Sequence, residues 1–156
     1  MIIFSIFSYL LELLLNYYLP IFINIHITPM FFVTFLIVYL IINYKDKKTY
    51  YYLLTSSIIY DLFFGNIFLL YTFIFIILYY VITLILHTIN NCHLTHIIIY
   101  MFSLLLFIFL KYLFSLLMGY SYSNHFLLTQ ISSALLINLI YAIIIYLLLG
   151  IKKKKG

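Results

Sequence analysis

Apolar runs along the chain are interrupted at a few polar or helix-breaking points, which divide it into six segments at residues 2–19, 21–43, 49–64, 67–87, 97–118 and 126–149. Pro20 closes the first, and the lysine-rich KDKK at 45–48 closes the second, which is strongest from Met30 to Ile42. Gly65 and Asn66 make a turn after the short third segment. The polar stretch HTINNCHLTH at 87–96 separates the fourth from the fifth, GYSYSN at 119–124 precedes the last, and Gly150 leads into the tail IKKKKG. Runs of this kind match the roughly 20 apolar residues that an α-helix needs to cross a bilayer. The pattern therefore predicts an all-α, polytopic membrane helical bundle of six transmembrane helices. It forms a single integral membrane domain over 1–151 with a basic cytoplasmic tail at 152–156. The third segment is short for a span, so it is expected to start within the tyrosines at 50–52 or to thin the bilayer locally. No repeat recurs at a fixed period.

Composition reinforces this class. Hydrophobic residues make up 68% of the 156 and charged residues 7%, against about 25% charge in ordinary soluble domains. Five or six helices with tight loops use up the chain, leaving no room for a soluble domain beside them. The start of the sequence has no basic stretch and no small-residue cleavage site, so the first apolar run is expected to stay in place as a helix. Cys92 is the only cysteine, which excludes an internal disulfide framework. Ile, Phe, Tyr and Asn are abundant and every basic residue is Lys, as an AT-rich coding sequence would give. The aromatic residues are accordingly read as lipid-facing or interfacial surface.

The lysines set an orientation. With a cytoplasmic N-terminus and six crossings, KDKK, the 87–96 loop and the tail all face the cytoplasm, which places Lys45, Lys47, Lys48 and Lys152 to Lys155 there and leaves the outer loops without Lys. This N-in/C-in arrangement obeys the positive-inside rule, whereas five crossings would put one cluster on the wrong side. The net charge of +5 resides in these two juxtamembrane clusters, so no nucleic-acid partner is implied. The KKKK tail reads first as an orientation signal, and secondarily as a contact for anionic lipid or an acidic partner.

Three charges remain inside the apolar segments. Glu12 and Lys111 each lie eight residues before a break, at Pro20 and Gly119, or roughly 12 Å from the outer ends of their helices, and Asp61 lies four before Gly65, roughly 6 Å from the same side. A buried ionisable group in lipid normally has a partner or faces a cavity, so Lys111 is expected to pair with Glu12 or Asp61. Ser57, Asp61 and Gly65 recur every four residues, as do Gln130, Ala134, Asn138 and Ala142. Such stripes of small and polar residues read as helix-packing seams, with Asp61 turned toward protein.

The stretch from Pro29 to Ile82, particularly SSIIYDLFFGNIFLLYTFIFIILYYV, resembles the corresponding region of the rod shape-determining MreD family, in which a helix ends in an apolar-Asp-apolar-apolar-x-Gly signal followed by a short turn and an aromatic helix. Asp61, Gly65, Tyr71 and Phe73 carry this match. SALLINLIYAIIIYLLL resembles the family's final helix through Asn138, Ala142 and Tyr146. Departures are Ser57 and Leu69 where the family has glycines, and Ser133-Ala134 where it has Pro-Thr. The likeness covers about half the chain. It implies a fold similar to the S components of energy-coupling factor transporters. It also implies a non-enzymatic scaffold subunit of the bacterial cell-elongation machinery in the plasma membrane, regulating cell shape and peptidoglycan synthesis. Its partners would be a bitopic MreC-like protein and, indirectly, MreB and RodA with a class B penicillin-binding protein.

Other chemistries fit the residues less well. A substrate-binding S component of a vitamin importer is the runner-up, but it needs convergent polar groups in a cavity and the outer loops are short. Cys92, His93, His96 and His87 offer metal-type donors at loose spacing in a loop where polar residues belong anyway, and no metal is expected. Glu12 and Asp61 could form an acid pair for intramembrane proteolysis only at equal depth, which their spacing does not give. No phosphate loop, nucleophile elbow or HExxH motif is present, and no cofactor is expected.

Overall fold

Each apolar run becomes a helix in the computed structural model, which describes residues 2–22, 29–64, 69–89, 92–119 and 124–154, with the side chains of all but 19–22, 64, 124–134 and 151–154. The described residues form α1 (Ile2–Phe22), α2 (Phe31–Asn43), α3 (Lys47–Phe64), α4 (Leu70–Thr88), α5 (His93–Leu117) and α6 (Asn124–Lys154), and no strand. The all-α expectation is met. Among the described residues α4 and α5 are long and apolar enough to cross a membrane, while the apolar stretches Ile2–Tyr18, Phe31–Asn43 and Leu135–Gly150 are shorter.

Several boundaries differ from expectation for identifiable reasons. Helix α1 continues through Pro20 to Phe22. Proline removes one backbone donor but does not oblige an apolar helix to stop where neighbouring bonds persist. Helix α3 begins at Lys47, because Asp46 caps it: its Oδ1 accepts the Lys48 N–H at 3.0 Å and its carbonyl accepts the Thr49 N–H at 3.0 Å. KDKK is thus a helix start as well as a charge cluster. Helix α5 begins at His93, four residues early. Thr95 Oγ1 accepts the Cys92 N–H at 3.0 Å and donates to the Cys92 carbonyl at 2.6 Å, so half of the polar loop is recruited into the first turn. Gly119 does end α5, at φ 85°, a left-handed conformation that glycine adopts without strain. Helix α6 runs through Gly150 to Lys154, so the first lysines of the expected tail are helical.

The largest difference concerns α2. The expected 23-residue run yields a helix of 13 residues, about 20 Å long. Residues 31–38, 40 and 41 are all buried, as expected of a helix that is apolar on every side. It is a core helix too short to cross about 30 Å of hydrocarbon by itself.

Contacts group the chain into two units, one comprising Met1–Tyr39 with Tyr122–Gly156 and the other Leu40–Ser121. In the first, Val33, Phe35 and Leu36 of α2 are completely buried, together with Ser8 of α1 and Asn138 of α6. In the second, α4 packs on both α3 and α5. Tyr71 stacks on Phe107 at 6.0 Å and meets Tyr60 edge-on at 4.9 Å, and Tyr50 meets Tyr79 edge-on at 4.9 Å.

On α1 and α3 the usual distribution is inverted. Ser5, Ser8 and Glu12 form the buried stripe of α1 while Ile2, Ile3, Ile6, Phe7, Leu10 and Leu14 are exposed. On α3, Ser56, Ser57 and Asp61 are buried while Ile59, Leu62 and Phe63 are exposed. Small polar side chains let helices approach closely, and large apolar ones cover the outside.

Candidate functional site

The head of α4 is the most polar buried point of the second unit. Leu69, just before the helix, has a left-handed φ of 61° and offers no side-chain cap. An L side chain there costs about 1–2 kcal/mol, and the first amides of any helix lack intrahelical acceptors. Asp61, on the last turn of α3, supplies them. Its Oδ1 accepts the Tyr71 N–H at 2.9 Å, and its Oδ2 accepts the Thr72 N–H at 2.7 Å together with the Thr72 hydroxyl. The carboxylate is 5% exposed, where an uncompensated charge would be costly. Charge-assisted hydrogen bonds contribute about 1.5–3 kcal/mol each, and the positive end of the helix dipole adds up to about 2 kcal/mol. Three such bonds are enough to offset desolvation of several kcal/mol.

Lys111 is not the partner of this acid. Among the described residues it makes no ion pair with Asp61; its Nζ lies over the Tyr71 ring, 5.7 Å from the centroid. Of the two partners expected for Lys111, Glu12 and Asp61, the second is thus not one: Asp61 is held by amides instead. Backbone amides lie closer along the chain, and they meet both carboxylate oxygens at a geometry one flexible ammonium cannot match.

The first unit repeats the device. Glu12, in the middle of α1 and 1% exposed, accepts the Phe32 N–H at 2.8 Å through Oε2. Asn138 of α6 accepts the Met30 N–H at 2.9 Å through Oδ1. Together they hold the head of α2, where Pro29 and Met30 bring no side-chain cap of their own. Glu12 lies ten residues before the end of α1, or about 15 Å back along the helix. The eight residues between Phe22 and Phe31 can reach about 27 Å when extended, enough to return the chain to that level. Ser8 completes the arrangement. Its Oγ donates to the Phe4 carbonyl at 2.7 Å and lies 2.6 Å from the Tyr141 hydroxyl, and since its one proton is committed to the carbonyl, Tyr141 is the donor. The Tyr141 ring in turn packs at 4.4 Å on Phe31.

Of the residues singled out in the sequence, Glu12, Ser57, Asp61 and Asn138 are buried and face protein, and three of these four hold helix heads. Ser57 turns its hydroxyl to the Leu54 carbonyl at 2.9 Å and serves as a small packing residue. Gly65 and the Gln130 side chain lie outside the described residues. The parts played by Thr72, Ser8, Tyr141 and Asp46 do not follow from the sequence pattern. A signal exists for the first: Asp61 precedes a helix whose start lacks any local Ser, Thr, Asp or Asn cap. No group of three or more metal-binding side chains occurs among the described residues, and Cys92 is exposed at the start of α5. Comparison of the chain with protein-family models, with curated proteins and with solved structures finds no match.

Proposed function

We propose that the chain is a non-enzymatic integral-membrane scaffold, similar to the MreD family, that joins a bacterial cell-elongation complex through its helix faces. One observation carries the reading: three of the seven residues behind the resemblance, Asp61, Tyr71 and Asn138, lie at helix heads and take part in the bonds that fix them. Asp61 and Tyr71 of the first matching stretch are joined by a hydrogen bond at the head of α4, and Asn138 of the second holds the head of α2. A set of residues spread over the chain thus serves one architectural purpose. Both buried carboxylates are engaged by backbone amides, so their role is positioning, which fits a scaffold better than acid–base chemistry.

The inverted polarity of α1 and α3 supports a membrane setting. A surface of Ile, Leu and Phe over a core containing Ser, Asn, Asp and Glu is unfavourable in water and favourable in hydrocarbon. We read α4 and α5 as crossing helices, and six crossings with both termini cytoplasmic as the full topology, the second made by α2 together with the residues that lead into it, with Lys45, Lys47, Lys48 and the C-terminal lysines inside. Contacts with a bitopic MreC-like protein would then form on outward helix faces.

The test is copurification. An affinity-tagged bitopic MreC-like protein, extracted from membranes in mild detergent, is expected to recover this chain in near-equal amount. Recovery of the chain with a transporter ATPase, and none with the bitopic protein, would contradict the scaffold reading and favour an importer subunit.

A further inference from the structure

The geometry points to Lys111 as a binding site for the phosphate of an anionic lipid headgroup, at the membrane boundary beside the head of α4. The inference rests on α4 and α5 crossing the bilayer. Lys111 has no carboxylate partner within its unit among the described residues: both Asp61 oxygens are engaged by α4, and Asp46 lies at the opposite end of α3. Lys111 is half-buried, and its ammonium lies over the Tyr71 ring, 5.7 Å from the centroid. Tyr71 is itself fixed between Tyr60 and Phe107. The cation is therefore held in place with no carboxylate beside it in its own unit among the described residues.

Depth selects the occupant. Helix α4 has 19 residues, about 29 Å, which matches the roughly 30 Å hydrocarbon thickness and sets its first turn at the boundary. Helix α5 has 25 residues, about 38 Å; its excess length falls on the polar start at 93–96, so the apolar stretch 97–117 fills the hydrocarbon and ends at that boundary. Lys111 lies six residues before the α5 terminus, about 9 Å inside the boundary, and its side chain carries the ammonium up to the ring of Tyr71 in the first α4 turn. A lysine rooted just inside the boundary extends its ammonium outward to the phosphates, at the level where tyrosines are enriched. A lipid phosphate reaches the ammonium without entering hydrocarbon, whereas a partner helix would need a carboxylate at one matching position.

Native mass spectrometry of the detergent-solubilised chain titrated with phosphatidylglycerol or phosphatidylcholine tests this assignment. The wild type is expected to retain one phosphatidylglycerol preferentially. Lys111→Met should weaken that retention about tenfold, as expected for loss of a charge-assisted hydrogen bond, and Lys111→Arg should keep it. Replacing Lys45, Lys47 and Lys48 together with Gln should leave this lipid bound. Equal retention by Lys111→Met, or equal retention of phosphatidylcholine by the wild type, would overturn the proposal. So would displacement of the lipid by excess inorganic phosphate, which would mark a free-anion site. Comparing the two lipids on the wild type keeps the test valid should a variant fail to fold. Carbonate extraction of cell membranes separately reports whether the chain is membrane-integral at all.

Discussion

Replacing Asp61 with Ala is expected to lower the unfolding free energy by about 3–5 kcal/mol. The change removes the acceptor for the Tyr71 and Thr72 amides and the Thr72 hydroxyl at once. The hydroxyl can rotate to another acceptor, but the two amides cannot, and a buried donor left unsatisfied costs about 1–3 kcal/mol. The attraction between an anion and the helix head, up to about 2 kcal/mol, is lost as well. Asp61→Asn keeps one acceptor oxygen and should cost about half as much. Leu62, the next residue along but 69% exposed, gives the control: Leu62→Ala should stay within about 0.5 kcal/mol of wild type. Unfolding by dodecyl sulfate titration in mixed micelles, followed by circular dichroism, measures all three. An Asp61→Ala variant as stable as Leu62→Ala would mean that the carboxylate does not hold α4.

Glu12→Leu is expected to cost about 2–3 kcal/mol by the same titration. Leucine fits the space approximately and relieves the desolvation of a buried charge, which by itself would stabilise. The Phe32 amide, however, remains buried without this acceptor. That loss outweighs the relief, because its neighbour Phe31 begins a helix closed off from solvent on nearly every side. Asn138→Ala should cost about 1–2 kcal/mol by releasing the Met30 amide. Since both variants loosen the same turn, the double variant should be less destabilised than the sum of the singles, by at least about 0.5 kcal/mol. Strict additivity would place Glu12 and Asn138 in independent roles.

Much of this arrangement is legible in the sequence, and the part that is not has physical causes. The apolar runs locate the six helices because helix formation in such segments follows from local composition. The i, i+4 stripe of Ser57 and Asp61 shows which face of α3 turns inward, since small and polar residues are costly against hydrocarbon. The partners of the buried acids are another matter. Lys111 is the one opposite charge within the apolar segments and so the obvious candidate, yet at short range an acid is satisfied as well by the unpaired amides of a helix start. For α4 the clue is an omission: Leu69, in a left-handed conformation, stands where a capping side chain would be expected. The shortness of α2 is hidden for a different reason. An apolar sequence reads the same whether it crosses a bilayer or is enclosed by protein, and the distant Glu12 and Asn138 contacts fix where α2 begins. Tyr141 and Ser8 are 133 residues apart, so no local pattern could join them.

The central claim is that each buried acid replaces the missing cap of the helix that follows it. Amide hydrogen exchange in micelles, resolved at Phe32, Tyr71 and Thr72, tests it most directly, because first-turn amides of a helix without such acceptors exchange readily. These three amides should be among the protected ones in the wild type. Asp61→Asn should speed exchange at Tyr71 and Thr72 while leaving Phe32 unchanged, and Glu12→Gln should do the reverse. Fast exchange at all three positions in the wild-type protein would contradict the claim.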